Sequence, residues 1–298
     1  MSMSGLTTLR DYIRWAISRL NQAQVFFAQD GDNVFEEARA LVLGSLYLPD
    51  QLHDKYLDCN LHADEQVLLQ AVLKKRIEQR IPAAYLLGEA WFAGLLFKVD
   101  ERVMIPRSPL AELIAQRFSP WLINMPLRIL DLGTGSGCLG ISCALEFPEA
   151  EVVLADISEP ALQVAAENIA LHQLESRVRI QYSDMFAQLQ GQRFDLIICK
   201  PPYLSAEQWA QLPRELHYEP EVSSIANNGG LECIESVLQQ AGQHLNDNGL
   251  LVIDVGPQRS RLMALYPEID FICLEHPYPG TDVLALTAQQ CAAYQALN

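Results

Sequence analysis

The sequence has no long apolar run. None of its runs approaches the ~18 consecutive apolar residues that suggest a membrane-spanning helix. The first residues, "MSMSGLTTLRDYIRW", also lack the apolar core of a secretory signal. We therefore expect no membrane association and a cytoplasmic protein.

Paired cysteines are missing as well. Seven cysteines are scattered through 298 residues, and no two of them form a C-x-x-C motif. An odd number of unclustered thiols is typical of a reduced protein rather than of a disulfide framework or a zinc site. We predict no bound metal.

Basic residues are few. The chain has 21 Lys and Arg against 37 Asp and Glu, a formal net charge of -16. Binding to a phosphate backbone rests on cationic contacts, so the charge argues against direct nucleic-acid specificity. It suits a small-molecule enzyme or an enzyme with a basic partner. Half of the residues are hydrophobic, which is enough to bury a sizeable core.

The sequence pattern changes along the chain. Residues 1–83 carry apolar positions at helical spacing, which predicts a small helical bundle. Residues 84–108 contain aromatics, two glycines and no helical period, which predicts a β-hairpin linker. From residue 109 onward strand-like runs follow one another: "RILDLG", "EVVLADI", "VRIQYSD", "FDLIICK", "GLLVIDVG", "DFICLE" and "DVLALTA".

These runs predict an α/β domain. We expect helical stretches between the first five strands, which is the pattern of an open, mostly parallel sheet. The last two strands are too close together for an intervening helix, so they are expected to pair antiparallel.

A glycine-rich loop follows the first strand. In "DLGTGSGCLG", Gly133, Gly135 and Gly137 allow sharp turns and close approach of a ligand. The loop also satisfies G-x-G-x-x-G, the dinucleotide fingerprint. The second strand ends at Asp156, where an acid binds a ribose diol in a dinucleotide or an S-adenosylmethionine site.

Asp131 favours S-adenosylmethionine over a dinucleotide as the ligand. It lies inside an apolar strand, one residue from the first glycine of the loop, and a buried carboxylate there needs partners. A methionine ammonium or loop N–H groups would supply them, whereas a dinucleotide's diphosphate would be repelled. Asp184, after the third strand, is placed to bond an adenine amino group.

The fourth strand ends in "KPPY", where adjacent prolines stop the ladder. An Asp/Asn-Pro-Pro-Tyr here, with "DLGTGSG" on the first strand, resembles the class I methyltransferases of planar amide or amino nitrogens. With "QRIPAAYLLGEAWFAGLLFKVDERVMIPRSPLAEL", "DISEPAL" and "EPEVSSIANNGGLE", the chain is similar to the protein-glutamine methyltransferases over nearly its whole length. The "AWF" to "IPRSP" region is closer to members that methylate a glutamine of large-subunit ribosomal protein L-three than to those acting on release factors.

The resemblance implies a Rossmann-like sheet of seven strands with the last one antiparallel, and S-adenosyl-L-methionine as cofactor. The implied substrate is a ribosomal protein with a basic, glutamine-containing loop. The implied cofactor-binding residues are Asp131, Gly133, Thr134, Gly135, Gly137, Asp156, Ile157, Asp184, Met185 and Phe186. The implied catalytic tetrapeptide is Lys200, Pro201, Pro202 and Tyr203, and the residues bordering the substrate pocket are Pro106, Arg107, Glu219 and Pro220.

The resemblance also divides the chain by role. It implies a catalytic domain over residues 109–298. Because every recognisable methyl-transfer motif lies after Arg107, residues 1–83 are predicted to recognise the protein substrate.

Lys200 departs from the family pattern, which has Asn at this position. The Asn side-chain oxygen accepts a hydrogen bond from the substrate amide, whereas a protonated lysine has three donors and no acceptor. A cation ~4 Å from a sulfonium is also repelled by about 4 kcal/mol at an effective dielectric of ~20. We therefore expect this chain to transfer methyl slowly or not at all.

Four alternatives remain open at this level. They are a release-factor glutamine methyltransferase, a nucleic-acid adenine N(6)-methyltransferase, an inactive cofactor-binding homologue and a nicotinamide dehydrogenase. The charge opposes the adenine enzyme, because the chain has no basic target-binding segment. The dehydrogenase would account for the glycines but for neither Asp131 nor "PPY".

Overall fold

The computed structural model describes residues 3, 5–27, 33–278 and 280–297. They form two compact units. The first consists of Met1–Glu89 with Leu212–Tyr218, and the second of Ala90–Gln211 with Glu219–Asn298. None of the helices within the described residues has the length and hydropathy to cross a membrane.

The first unit is helical, as the apolar spacing predicts. Thr8 and Asp11 form a capping box at the start of its first helix, which satisfies the backbone N–H groups of both residues. A core including Tyr12, Leu41 and Leu69 lies between the helices. The helices are α1 (Leu9–Ala23), α2 (Val34–Gly44), α3 (Ala63–Lys74), which continues into a π-helical turn (Lys75–Gln79), and α4 (Ala83–Leu87), with a 3-10 turn at Asp54–Tyr56.

A buried ion-pair network ties the distant segment 212–218 into this unit. Arg76 is 1% exposed, and its Nε donates to Glu37 at 2.8 Å. Its Nη1 also lies 3.5 Å from Oε1 of Glu215, which accepts from Arg80 at 3.3 Å and from the N–H of Phe26 at 3.0 Å. Burial raises the pKa of Glu37 in spite of the Arg76 charge beside it. Arg76 therefore supplies the counter-charge of Glu37, and it shares that of Glu215 with Arg80.

The second unit contains a hairpin and a seven-stranded sheet of order β5-β4-β3-β6-β7-β9-β8. The neighbouring strands from β5 to β7 are parallel, and β9 is antiparallel to both β7 and β8. This confirms the predicted fold. The strands are β1 (Glu89–Phe92), β2 (Leu95–Lys98), β3 (Arg128–Leu132), β4 (Glu151–Asp156), β5 (Val178–Tyr182), β6 (Phe194–Cys199), β7 (Leu245–Gly256), β8 (Ile272–Leu274) and β9 (Asp282–Thr287).

Helices cover both faces of the sheet. Alternate strand residues enter different cores, so Leu154 joins one apolar cluster and its neighbour Val153 joins the other. The helices of this unit are α5 (Leu110–Ala115), α6 (Cys138–Glu146), α7 (Glu159–Leu171), α8 (Ala206–Ala210), the short irregular α9 (Asn227–Gly230), α10 (Glu232–His244), α11 (Arg259–Leu265) and α12 (Ala288–Leu297).

The expectation of a helix between every pair of the first five strands is wrong at one place. The chain between β5 and β6 is a series of turns. Met185 has a φ of 46°, which interrupts a right-handed helix, and the N–H groups of Ala187 and Leu189 bond three residues back rather than four. Phe186 and Leu189 are nevertheless fully buried. The apolar pattern therefore reflects burial of a compact loop.

Candidate active site

The glycine-rich loop after β3 is held by Asp131. Oδ2 of this carboxylate accepts the Thr134 hydroxyl at 2.5 Å and the N–H of Gly140 at 2.8 Å. A Cβ at Gly140 would lie 2.9 Å from that of Asp131, so the approach requires glycine. The other oxygen, Oδ1, is buried and has no hydrogen-bond partner among the described residues. Burial raises the pKa of Asp131 to about 7.

Asp156 holds the same loop from the end of β4. Its Oδ2 accepts the N–H of Gly135 at 2.8 Å, and its Oδ1 accepts the N–H of Ser158 at 2.9 Å. Burial raises the pKa of Asp156 above its ordinary value, and the two N–H donors oppose that effect. The carboxylate is thus oriented by the backbone and lines the cavity described next.

A cavity of about 250 Å³ opens at the carboxyl ends of β3, β4 and β6, the edge where ligands bind in open α/β sheets. It brings together most of the predicted site residues. Those in its wall are Pro106, Arg107, Gly133, Thr134, Gly135, Asp156, Ile157, Asp184, Met185, Lys200, Pro202 and Pro220.

The remaining predicted residues lie outside that wall. Asp131 and Gly137 are buried beneath the loop, and Pro201 is buried at the end of β6. Phe186 is in the core, where its ring stacks on His244 at 4.6 Å between centroids. Tyr203 and Glu219 pack behind the wall against other side chains. The predicted site residues outside the cavity wall are therefore Asp131, Gly137, Phe186, Pro201, Tyr203 and Glu219.

The residues present fit S-adenosylmethionine. The unpartnered Oδ1 of Asp131 is a buried acceptor without a donor, and an ammonium group supplies the donors that it lacks. Asp156 offers a carboxylate at the cavity wall, suited to a ribose diol, and Asp184 offers an exposed one. Within the described residues, no group of three His, Cys, Asp or Glu side chains could hold a metal ion.

Lys200 has a carboxylate partner that sequence reasoning missed. Its Nζ lies 3.6 Å from Oδ2 of Asp254 in β7, 3.2 Å from the hydroxyl of Tyr203 and 4.6 Å from the centre of the Tyr203 ring. Burial disfavours the charged lysine, but Asp254 and Tyr203 outweigh it and raise its pKa. Burial likewise acts to raise the pKa of Asp254, but the Lys200 charge and three hydrogen-bond donors bring it below its ordinary value.

Register explains this pairing. Cys199 at the end of β6 is the partner of Ile253 in the parallel strand β7, so the next residues, Lys200 and Asp254, are neighbours. An acid inside the apolar run "LLVIDVG" was the available signal, but it identifies a partner only when the order of the strands is known.

The loop carrying Tyr203 is fixed by contacts on both sides. The ring packs on Gly256, where an added Cβ would lie 2.6 Å from Cε2 of Tyr203. The Tyr203 carbonyl accepts from Nε2 of the buried Gln258 at 2.9 Å. Leu204 forms a parallel bridge with Ile225. Gln258 is thus a second positioning residue that the sequence did not indicate.

Arg107 and Glu219 form a bidentate pair beside the cavity. Nη1 and Nη2 of Arg107 donate to the two carboxylate oxygens of Glu219 at 2.5 and 2.6 Å. Glu219 is 3% exposed and also accepts the N–H of Ile105 at 3.2 Å. The structure therefore joins two residues of the predicted substrate border into one rigid element.

Comparison with known proteins gives one family model and a set of relatives. The model described as "Methyltransferase small domain" matches residues 112–216. A "Ribosomal protein uL3 glutamine methyltransferase" of Francisella tularensis subsp. tularensis is 40% identical over 295 residues, covering 98% of this chain and 94% of the relative. A protein of the same name from Xanthomonas campestris pv. campestris is 42% identical over 293 residues, with the same shares covered.

A solved structure is similar in fold. It is the hMettl16 catalytic domain in complex with MAT2A 3'UTR hairpin 6, with a TM-score of 0.51 and 15% identity. The match covers 80% of this chain and 87% of that one. At this identity the similarity supports the sheet architecture alone.

Proposed function

The chain belongs to the family of ribosomal protein uL3 glutamine methyltransferases, and we propose that it methylates the side-chain amide nitrogen of a glutamine in ribosomal protein L-three. As a member of that family it is an S-adenosylmethionine-dependent protein-glutamine methyltransferase. A ribosomal-protein acceptor also supports cytoplasmic location.

One observation carries the proposal: the carboxylates of Asp131 and Asp156 hold a glycine loop whose cavity is also walled by Lys200 and Pro202 of the tetrapeptide. The cofactor half and the transfer half of the site thus share one cavity. S-adenosylmethionine supplies an electrophilic methyl group when bound.

The cofactor half binds and orients. Asp131 offers its unpartnered Oδ1 to an ammonium, and its other oxygen keeps the loop closed through Thr134 and Gly140. Asp156 accepts ribose hydroxyls while its orientation is held by two N–H donors. Asp184, which lines the same cavity, would accept a hydrogen bond from the adenine amino group.

The transfer half of the site positions a planar amide. Pro202 and Pro106 line the cavity with stiff, apolar rings, and Arg107 is held in place by Glu219. Tyr203 fixes the loop from behind the wall through Gly256 and Gln258. An amide nitrogen is a poor nucleophile, so catalysis at this site rests on positioning.

Lys200 weakens that positioning. Its ammonium donates to Tyr203 and pairs with Asp254, and it has no acceptor for a substrate N–H. We expect Lys200→Asn to accelerate transfer by ~100-fold or more, the scale of misplacement effects in positioned reactions.

The test is incubation with tritiated S-adenosylmethionine and purified ribosomal protein L-three. The unaltered chain, Lys200→Asn and Lys200→Asn/Asp254→Asn are compared, because the single change leaves Asp254 buried without its counter-ion. Label on a glutamine of L-three in the Asn chains supports the proposal.

Parallel reactions with a peptide release factor and with adenine-containing DNA distinguish the other acceptors. Faster labelling of either acceptor would show that it is the substrate instead of ribosomal protein L-three. Absence of label in all chains, despite cofactor binding, would establish an inactive homologue. Equal turnover by the Lys200 and Asn chains would show that the account of Lys200 is wrong.

The helical unit is proposed to select the protein substrate. Exposed large apolar side chains occur there, as at Phe35, Tyr47 and Val67. Replacing these three by Ser in the Lys200→Asn chain should raise KM for the whole ribosomal protein and leave KM for a short glutamine peptide unchanged. Equal KM values for the protein before and after replacement would exclude recognition through these side chains.

A further inference from the structure

The counter-ion of Lys200 is almost completely removed from water. Asp254 is 1% exposed and lies in the interior of the sheet, whereas the Lys200 side chain is 13% exposed and lines the cavity. The lysine therefore presents a positive charge to the cavity, and the matching negative charge lies 3.6 Å behind it.

The other contacts of Asp254 are neutral. Its Oδ2 accepts the Ser108 hydroxyl at 2.8 Å, and its Oδ1 accepts the Thr281 hydroxyl at 2.7 Å and the N–H of Gly256 at 3.1 Å. These donors hold the carboxylate in place, but none of them balances its charge.

Arg107 is the other cation whose charge acts on Lys200, because proximity of the two lowers the Lys200 pKa against the effect of Asp254. Its guanidinium is bound bidentately by Glu219. Each cation in the cavity wall near the tetrapeptide is thus matched by a buried carboxylate behind it.

We propose that Asp254 is a specificity-determining residue that neutralises Lys200, so that the cavity accepts the positively charged sulfonium of S-adenosylmethionine. This inference rests on the cofactor and not on the methyl acceptor. It revises the expectation that Lys200 alone repels the cofactor, because the repulsion is opposed by attraction to Asp254, 3.6 Å behind Lys200.

Ligand charge separates this role from a structural one. S-adenosylmethionine carries a sulfonium, whereas S-adenosylhomocysteine lacks the methyl group, has a neutral thioether and otherwise shares the same groups. Loss of packing weakens both ligands together. Loss of charge balance changes the ratio of their dissociation constants.

The experiment measures both dissociation constants by calorimetry for four full-length chains. They are the unaltered chain, Asp254→Asn, Lys200→Met and Lys200→Met/Asp254→Asn. Asn keeps the shape of Asp254 and still accepts hydrogen bonds, and Met keeps an unbranched stem without the charge.

Asp254→Asn should raise the ratio of Kd for S-adenosylmethionine to Kd for S-adenosylhomocysteine by about tenfold, the effect of 1.4 kcal/mol. Lys200→Met should shift the ratio in the opposite direction, because the buried carboxylate then attracts the sulfonium. The double variant should return the ratio to that of the unaltered chain. An unchanged ratio in Asp254→Asn would overturn the proposal.

A folding defect does not remove the test. If Asp254→Asn binds neither ligand, Lys200→Met decides, since it keeps Asp254 and its three neutral donors. A ratio that stays constant in Lys200→Met, or moves against the sulfonium, would equally overturn the proposal. Because no acceptor protein is present, a wrong substrate assignment cannot affect either outcome.

Discussion

Asp131 and Asp156, at the ends of two adjacent strands, both accept hydrogen bonds from the same glycine-rich loop. Oδ2 of Asp131 accepts the N–H of Gly140, and Oδ2 of Asp156 accepts the N–H of Gly135, each at 2.8 Å. The loop therefore reaches its binding conformation before a ligand arrives. Such preorganisation reduces the entropy lost on binding.

Asp156→Ala should weaken S-adenosylmethionine binding by about 1–3 kcal/mol, the range for leaving buried polar partners unmet. Calorimetry measures the change. The matched control is Asp195→Ala, since Asp195 likewise accepts two backbone N–H groups, from Leu127 and Arg128, but does not line the cavity. Affinity that is unchanged in Asp156→Ala would place the ribose elsewhere.

Cofactor affinity should fall as the pH decreases below about 7, the pKa of the buried Asp131. The neutral form dominates below that value, and an ammonium ligand pairs with the ionised form, so each further unit should lower affinity by up to ~tenfold. Titrations between about pH 5.5 and 7.5 avoid deprotonation of the ligand's own amine.

The control for this pH dependence is Asp131→Asn, which should bind weakly and lose the slope. Asp156→Ala should keep it, although burial raises the pKa of Asp156 as well. A slope that survives in Asp131→Asn would contradict the assignment of Asp131 to the ammonium.

Gly256→Ala should abolish methyl transfer while cofactor binding is retained. The added Cβ lies 2.6 Å from the Tyr203 ring, so the loop bearing the tetrapeptide must move. Transfer is best measured in the Lys200→Asn chain. Gly191→Ala is the control, because Gly191 also has a positive φ but nothing within 4 Å of an added Cβ. Equal loss in both variants would point to backbone strain alone.

Arg76→Met should lower the free energy of unfolding of the helical unit by about 3–5 kcal/mol, because the buried Glu37 loses its counter-ion and Glu215 keeps only Arg80. The exposed pair of Arg10 and Asp58 provides the comparison, and Arg10→Met should lower the free energy of unfolding far less, because solvent screens that pair. Chemical denaturation followed by circular dichroism measures both. Similar losses in the two variants would mean that the Arg76 network contributes little.

The sequence predicts the sheet well because its strands are short, apolar and separated by strong turn signals. β3 and β6 begin and end within a residue of the runs "RILDLG" and "FDLIICK". The loop after β5 is not the expected helix, and its apolar residues Phe186 and Leu189 are buried by turns. Periodicity reports which residues are buried, and it does not fix the backbone that buries them.

The site is predicted only in part for a related reason. Asp131 lies just before Gly133 in the chain, and Asp156 ends the next predicted strand, so their roles are visible from local patterns. Asp254 and Gln258 reach Lys200 and Tyr203 from more than 50 residues away, through strand order and register. The effect of Lys200 on the site therefore has to be considered together with its partner Asp254.

The inclusion of residues 212–218 in the helical unit has a consequence for modular exchange. The polypeptide leaves the second unit after Gln211 and returns at Glu219, so the helical unit is encoded by two separate stretches. A chimera that swaps only the first 89 residues between relatives would place a foreign partner opposite Glu215, whose carboxylate requires Arg76 and Arg80. Recombination within this family is therefore expected to give a stable helical unit only when both stretches are exchanged together.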